Sequence, residues 1–131
     1  MTTIAAEALG RRWISAGGGW HAGMLAVERV RPDAYDTRLM SGRIDGLYLN
    51  RWADPDEQKK YGWWPDPRDP AVLGWMLAIV RERYTNGTIF VRPTVAGFVA
   101  YSLADTGNAR LIAGPSPSEG EALVSALERA K

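Results

Sequence analysis

Cysteine is absent from this chain of 131 residues, and His21 is its only histidine. The absence of cysteine excludes disulfide bonds, a thiol nucleophile, and zinc or iron–sulfur sites that are built from thiolates. A single histidine excludes a His-rich metal site and every motif that needs two histidines, such as H-E-x-x-H. We therefore predict neither a metal site nor a cofactor. The lack of cysteine also fits a cytoplasmic protein.

Long hydrophobic runs and an excess of one charge are lacking as well. The longest apolar stretch, residues 71–80, has about 10 residues and is too short to span a bilayer. Near the N-terminus Glu7 comes before Arg11 and Arg12, the reverse of the charge order of a signal peptide. The 16 basic and 15 acidic residues give a net charge of +1, which excludes a strongly basic nucleic-acid binder. We expect a soluble protein with no membrane partner.

The chain has enough apolar residues to form one hydrophobic core, because 46% of its residues are hydrophobic. We predict a single α+β domain over residues 1–131, in which an antiparallel sheet of two three-stranded meanders packs against helices. The predicted order is α-βββ-α-βββ-α. The predicted helices cover residues 2–13, about 71–84 and the stretch after Ser118, and the predicted strands cover residues 20–30, 35–40, 46–52, 88–92, 98–103 and 109–113.

Local signals support the helices. Asp69 and Pro70 are typical of an N-cap and a first helical position, and the helix that follows is apolar all round, which predicts that it is the centre of the core. Ser118 and Glu121 form a capping box at the start of the last helix. The buried face of the first helix is predicted from its apolar residues, which are Ile4, Ala5, Ala8, Leu9 and Trp13.

Residues 53–70 form a long loop that is rich in proline and aromatic residues and has no helical or strand periodicity. Tryptophan is depleted in disordered segments, and so long a loop is often functional. Aromatic and arginine side chains are typical anchors of protein interfaces, and they also suit stacking on bases. The alternative is that Trp63 and Trp64 cover the core. The predicted binding residues are Arg51, Trp52, Tyr61, Trp63, Trp64 and Arg68.

Catalytic chemistry finds little support in the sequence. The glycines at residues 17–19 lead into a predicted strand and lack the lysine of a phosphate-binding loop. His21 has no nucleophile or carboxylate at a recognisable spacing. An enzyme with His21 in its active site is therefore only the third hypothesis. The acidic cluster at residues 54–57 lacks the glycine and terminal glutamate of a calcium loop. We therefore predict a protein that is not an enzyme, with no catalytic residue and no metal ligand.

Three stretches resemble a loose group of small uncharacterised proteins of bacteriophages and prophages, and together they cover less than half of the chain. The shared features are an Asp-Pro-Ala-x-Leu-Gly helix start and an Ala-Leu-Val-x-Ala-Leu-Glu tail. The resemblance implies an accessory role in the cytoplasm of a bacterial host cell, including interference with host machinery or a defence system. The stretches are Trp20-x-x-Gly-Met24, residues 65–82 and residues 114–128.

The leading functional hypothesis is a non-enzymatic binding protein of a phage or prophage. It would act on a host or defence-system protein, as an inhibitor, through the aromatic and arginine surface of residues 51–68. The second hypothesis is a module that binds a nucleotide, another small ligand or nucleic acid, through tryptophan stacking and arginine contacts. The sequence leaves the oligomeric state open, with a homodimer as one alternative.

Overall fold

Three helices and three strands build the part of the chain that the structure, a computed structural model, describes: residues 1–27, 64–85 and 87–130. The strands form an antiparallel sheet of order β1-β2-β3. The α+β class is therefore confirmed. The helices are α1 (Thr3–Ser15), α2 (Pro70–Arg83) and α3 (Glu119–Arg129), and the strands are β1 (Thr88–Thr94), β2 (Gly97–Leu103) and β3 (Ala109–Ser116).

Contacts within the chain divide it into two compact units, Met1–Val72 and Leu73–Lys131. The first unit contains α1 and the loop after it, and the second contains the sheet and α3. The assignment of residues 1–131 to one domain stays a prediction. None of the helices in residues 1–27, 64–85 and 87–130 is long and apolar enough to cross a membrane.

Helix α1 begins where the sequence predicts, but it buries a different face. The side chain of Thr2 caps the helix by accepting a hydrogen bond from the backbone N–H of Ala5 at 3.1 Å. The buried face is shifted from the predicted one. Leu9 and Trp13 are buried as predicted, whereas Ile4 is 82% exposed and Ala5 and Ala8 are exposed too. The reason lies at Gly10, where an added Cβ would come within 2.3 Å of the carbonyl oxygen of Pro65. This close backbone approach turns a different side inward, and its buried residues are Ala6, Leu9, Gly10 and Trp13.

The chain after α1 wraps around Trp13, which is fully buried. The indole Nε1 of Trp13 donates a hydrogen bond to the carbonyl oxygen of Gly19 at 2.9 Å. Gly18 lies so close to the indole ring that a Cβ would come within 2.0 Å of it. The predicted strand over residues 20–30 is wrong in its described part, because residues 20–27 form turns and the isolated bridge of Ala26 with Pro65. The rest of that strand lies outside the described residues.

Helix α2 starts at the predicted cap. The Asp69 carboxylate accepts hydrogen bonds from the backbone N–H groups of Ala71 at 3.1 Å and Val72 at 3.3 Å. The expectation of burial all round was wrong, since Trp75 is 38% exposed and Ala78 is exposed too. The buried positions repeat at helical spacing and so form one face, which consists of Val72, Met76, Ile79 and Val80.

The second predicted meander is confirmed as β1-β2-β3. Strand β3 ends at Ser116, three residues beyond its predicted end at residue 113, because Ser116 pairs with Phe98 across a bulge. Gly97 has a φ of +131° and lies against the Ser116 backbone, a position that only glycine fits easily. The predicted strands over residues 35–40 and 46–52, which would complete the first meander, lie outside the described residues.

Helix α3 packs against all three strands. Ser118 is its N-cap, as predicted. The Ser118 hydroxyl accepts a hydrogen bond from the backbone N–H of Glu121 at 3.2 Å. Its buried residues are Gly120, Ala122, Leu123, Val124, Ala126 and Leu127.

Replacing Ser118 with alanine leaves the backbone N–H of Glu121 without its acceptor, and we expect a loss of about 0.5–2 kcal/mol in the free energy of unfolding. Chemical denaturation followed by circular dichroism measures it. Ser15→Ala, at an exposed position in the last turn of α1, is the control and should change the free energy by less than about 0.5 kcal/mol. Identical denaturation midpoints for Ser118→Ala and the parent would contradict a stabilising cap.

Candidate functional site

Two of the six predicted binding residues, Trp64 and Arg68, belong to the described part of the chain. Arg68 and Asp66 form a tight ion pair in which the guanidinium Nε and Nη2 donate to the two carboxylate oxygens at 2.9 and 2.8 Å. The Asp66 side chain is only 6% exposed. A buried carboxylate needs such a partner, so this fork is already engaged within the protein. The other four predicted residues lie outside the described residues, and they are Arg51, Trp52, Tyr61 and Trp63.

Trp64 lies half-buried beside α1. The Arg11 guanidinium lies 5.2 Å from the centroid of the Trp64 ring, and it also donates to a Glu7 carboxylate oxygen at 3.3 Å. The backbone carbonyl of Trp64 accepts a hydrogen bond from the N–H of Val27 at 2.7 Å. Trp64 thus packs within its own unit, as in the alternative that it covers the core. Its role in binding a partner stays a prediction.

His21 holds the loop after α1 in place. Its Nε2 donates a hydrogen bond to the carbonyl oxygen of Gly18 at 2.9 Å, and its backbone N–H contacts the Met24 sulfur at 3.3 Å. The described ranges contain no group of three or more His, Asp or Glu side chains that could hold a metal ion. These contacts give His21 a structural task.

The sheet presents aromatic side chains on the face opposite its buried residues. Directly opposed residues on neighbouring strands project to the same face. Phe90 pairs with Tyr101, and Tyr101 pairs with Leu111, so these three form a row across the sheet. Ile89 and Ser102, one position along, form a pair on the other face and are buried. The row of Phe90, Tyr101 and Leu111 is therefore the outer face.

Two arginines hold the rings of this row. The Phe90 and Tyr101 rings stack with centroids 5.6 Å apart and an interplanar angle of 24°. The Arg92 guanidinium lies 5.4 Å from the Tyr101 centroid, and the Arg81 guanidinium lies 5.4 Å from the Phe90 centroid. Arg81 also donates from Nε to the carbonyl oxygen of Ile89 at 2.9 Å, which fixes its position. We call Arg81, Phe90, Arg92, Tyr101 and Leu111 the aromatic patch.

The aromatic patch is made of residue types that are common in binding surfaces. Its rings offer apolar area and its arginines offer positive charge, while none of the three strands contains an aspartate or glutamate. Leu111 is 60% exposed at the end of the row. Aromatic and arginine residues are enriched at the centres of interfaces.

Sequence reasoning did not select these residues. A signal was available, because Phe90 and Arg92 alternate with Ile89 and Val91 along one strand. The strand register that joins them to Tyr101 and Leu111 is a property of the fold. The role of the aromatic patch is accordingly drawn from its geometry. No family model matches the chain, and neither does any curated protein or solved structure.

Proposed function

We propose that this protein is a non-enzymatic binding protein that recognises another protein through the aromatic patch. The observation that carries the proposal is the stacked pair of Phe90 and Tyr101 with a guanidinium held over each ring. An aromatic pair of this kind contributes about 0.5–1.5 kcal/mol beyond its buried area, and each cation–π contact adds about 0.5–1 kcal/mol at an exposed site. These contacts hold the patch in shape before a partner arrives, which lowers the ordering cost of binding.

A protein partner suits the composition of the patch. Leu111 in the patch and Leu103, two residues after Tyr101 on the same strand, are exposed. Burial of such aliphatic side chains stabilises protein interfaces through the hydrophobic effect. The two arginines are the charged members of the patch, so the complementary surface would carry carboxylates or backbone carbonyl oxygens around an apolar centre.

The biological setting of the proposal comes from the resemblance of residues 65–82 and 114–128 to small phage and prophage proteins. In that setting the partner is a host or defence-system protein in the bacterial cytoplasm, and binding inhibits it. A binding role needs no catalytic residue, in keeping with the structural task of His21.

Single-stranded nucleic acid is the second candidate. Bases stack on aromatic side chains that project from antiparallel sheets, and arginines contact the phosphates beside them. The stacked Phe90 and Tyr101 rings on a three-stranded sheet support this reading. The arginine over each ring and the exposed leucines favour the protein partner instead.

Leu111→Asp tests the proposal, because it places a carboxylate at the exposed end of the patch. Immobilised protein is exposed to bacterial lysate that has been treated with nuclease, and any captured protein is purified and titrated. We expect Leu111→Asp to weaken its binding at least tenfold, which corresponds to about 1.4 kcal/mol. Val95→Asp is the matched control, since Val95 is fully exposed in the turn between β1 and β2, and it should bind like the parent.

The outcomes separate the readings. Equal affinities for the parent, Val95→Asp and Leu111→Asp, with all three folded by thermal melt, would contradict a protein site at the aromatic patch. A second capture uses lysate that has not been treated with nuclease. If protein is captured only from that lysate, and Leu111→Asp loses the parent's binding to a labelled single-stranded oligonucleotide, nucleic acid replaces the protein partner.

A further inference from the structure

An open cleft of about 380 Å³ lies in the unit that contains the sheet, on the side of the buried face. Its walls come from the end of α2, from β2 and β3 with the turn between them, and from the last turn of α3. Its volume is at the lower end of the range of small-molecule sites, about 300–1,000 Å³. The polar side chains that line it are Arg83, Tyr84, Thr85, Ser102, Asn108, Arg110 and Arg129.

The charge of this cleft is of one sign. Three guanidinium groups line it, and no aspartate or glutamate does. Among the described residues neither Arg110 nor Arg129 forms an ion pair with a carboxylate. Like charges around one cavity repel each other, and an anion between them removes that cost.

Hydrogen bonds fix two sides of the cleft. Arg129 donates from Nη1 to the carbonyl oxygen of Ile112 at 2.7 Å, and the Tyr84 hydroxyl donates to the carbonyl oxygen of Ala126 at 2.6 Å. The remaining N–H groups of Arg129 stay available to a ligand. Burial raises the pKa of Tyr84, and the charges of Arg129 and Arg110 oppose that rise.

We infer that this cleft binds the phosphate group of a small molecule, with Arg110 and Arg129 as the principal contacts. Guanidinium groups match phosphate oxygens with paired hydrogen bonds, which favours phosphate over a spherical anion. The Ser102 hydroxyl and the Asn108 amide line the same cleft and supply further donors. Ile112 and Ala104 give it an apolar side that suits an organic group joined to the phosphate. This site is separate from the aromatic patch and does not depend on the proposed function.

The test is titration calorimetry of the full chain with three probes: inorganic phosphate, adenosine 5′-monophosphate, and adenosine. We expect saturable binding of the two probes that carry phosphate and none of adenosine. Arg110→Gln should weaken phosphate binding at least tenfold. Arg110 is exposed and makes no side-chain hydrogen bond to the described residues, so this variant should keep the parent's melting temperature.

Arg11→Gln is the matched control, because it removes the same charge from an exposed position in the other unit. It should bind phosphate like the parent. Equal weakening by Arg11→Gln and Arg110→Gln would show a general charge effect and overturn the site, as would the absence of saturable binding to either phosphate probe. Equal affinity for phosphate and the nucleotide would assign the site to free phosphate, whereas tighter binding of the nucleotide would assign it to phosphate esters. Both results support phosphate recognition.

Discussion

Trp13→Ala is expected to lower the free energy of unfolding by about 3–5 kcal/mol, the range for a large aromatic residue removed from a core. Trp13 is fully buried, and its indole Nε1 donates to the carbonyl oxygen of Gly19 at 2.9 Å. The backbone of Gly18 lies directly against the indole ring. Truncation therefore leaves a cavity and also removes the support of the glycine segment that follows α1.

Trp13→Phe separates the contribution of apolar packing from that of the hydrogen bond to Gly19. The phenyl ring keeps most of the apolar contact but has no N–H, so the Gly19 carbonyl loses its donor at a cost of about 1–3 kcal/mol. Urea denaturation followed by far-ultraviolet circular dichroism measures both variants. A loss below about 1 kcal/mol for Trp13→Ala would mean that the indole is not a central packing element of its unit.

The ends of the helices could be predicted from the sequence because their chemistry is local. Asp69 and Ser118 each cap a helix with their own side chain, and the donors they satisfy lie two or three residues further along the chain. Such hydrogen bonds need no knowledge of the rest of the fold. The turn between β2 and β3 has a local signal of the same kind, because Gly107 there adopts a φ of +87°.

The buried face of α1 could not be predicted from hydrophobicity. Ile4 is the most hydrophobic residue of the first turn, yet it is largely exposed, while Gly10 is buried. The deciding contact is a close approach of the Gly10 backbone to Pro65, which is distant in sequence. A hydrophobicity pattern gives weight to large side chains and none to glycine, so the face that it selects is shifted from the buried one.

The buried face of helix α2 could not be predicted from hydrophobicity either. Its composition is apolar on every side, and composition predicts burial on every side. Exposure of Gly74, Trp75 and Ala78 shows that the fully buried positions are confined to one face of the helix. Which side that is depends on tertiary packing.

The aromatic patch could not be predicted from the sequence for a related reason. Its members come from α2 and from all three strands, and only the strand register brings Phe90, Tyr101 and Leu111 into one row. The tryptophan-rich segment drew the sequence-based prediction because its residues are neighbours along the chain. Arg68 illustrates the difference. It was predicted as a binding residue, but its guanidinium forms an ion pair with the carboxylate of Asp66, two residues earlier in the chain.

Met76→Ala is expected to lower the free energy of unfolding by about 2–5 kcal/mol, through lost transfer free energy and the cavity left behind. Met76 is fully buried at the middle of the buried face of α2, with Val72 and Val80 one turn away on either side. Ile79→Ala, at another buried position of this face, should cost a similar amount. Leu77→Ala should cost less, because Leu77 is only half-buried.

Gly74→Ala provides the matched control two residues away on the same helix. Gly74 is exposed, and a Cβ added there meets no atom within 4 Å. Alanine in a helix interior is favoured over glycine by about 0.5–1 kcal/mol, so this variant should be more stable than the parent. In thermal and urea denaturation, the midpoint of Met76→Ala should then lie below that of the parent, and the midpoint of Gly74→Ala should lie above it. A destabilised Gly74→Ala variant would show that the exposed side of α2 is in contact with another part of the protein, and a Met76→Ala variant as stable as the parent would place the core elsewhere.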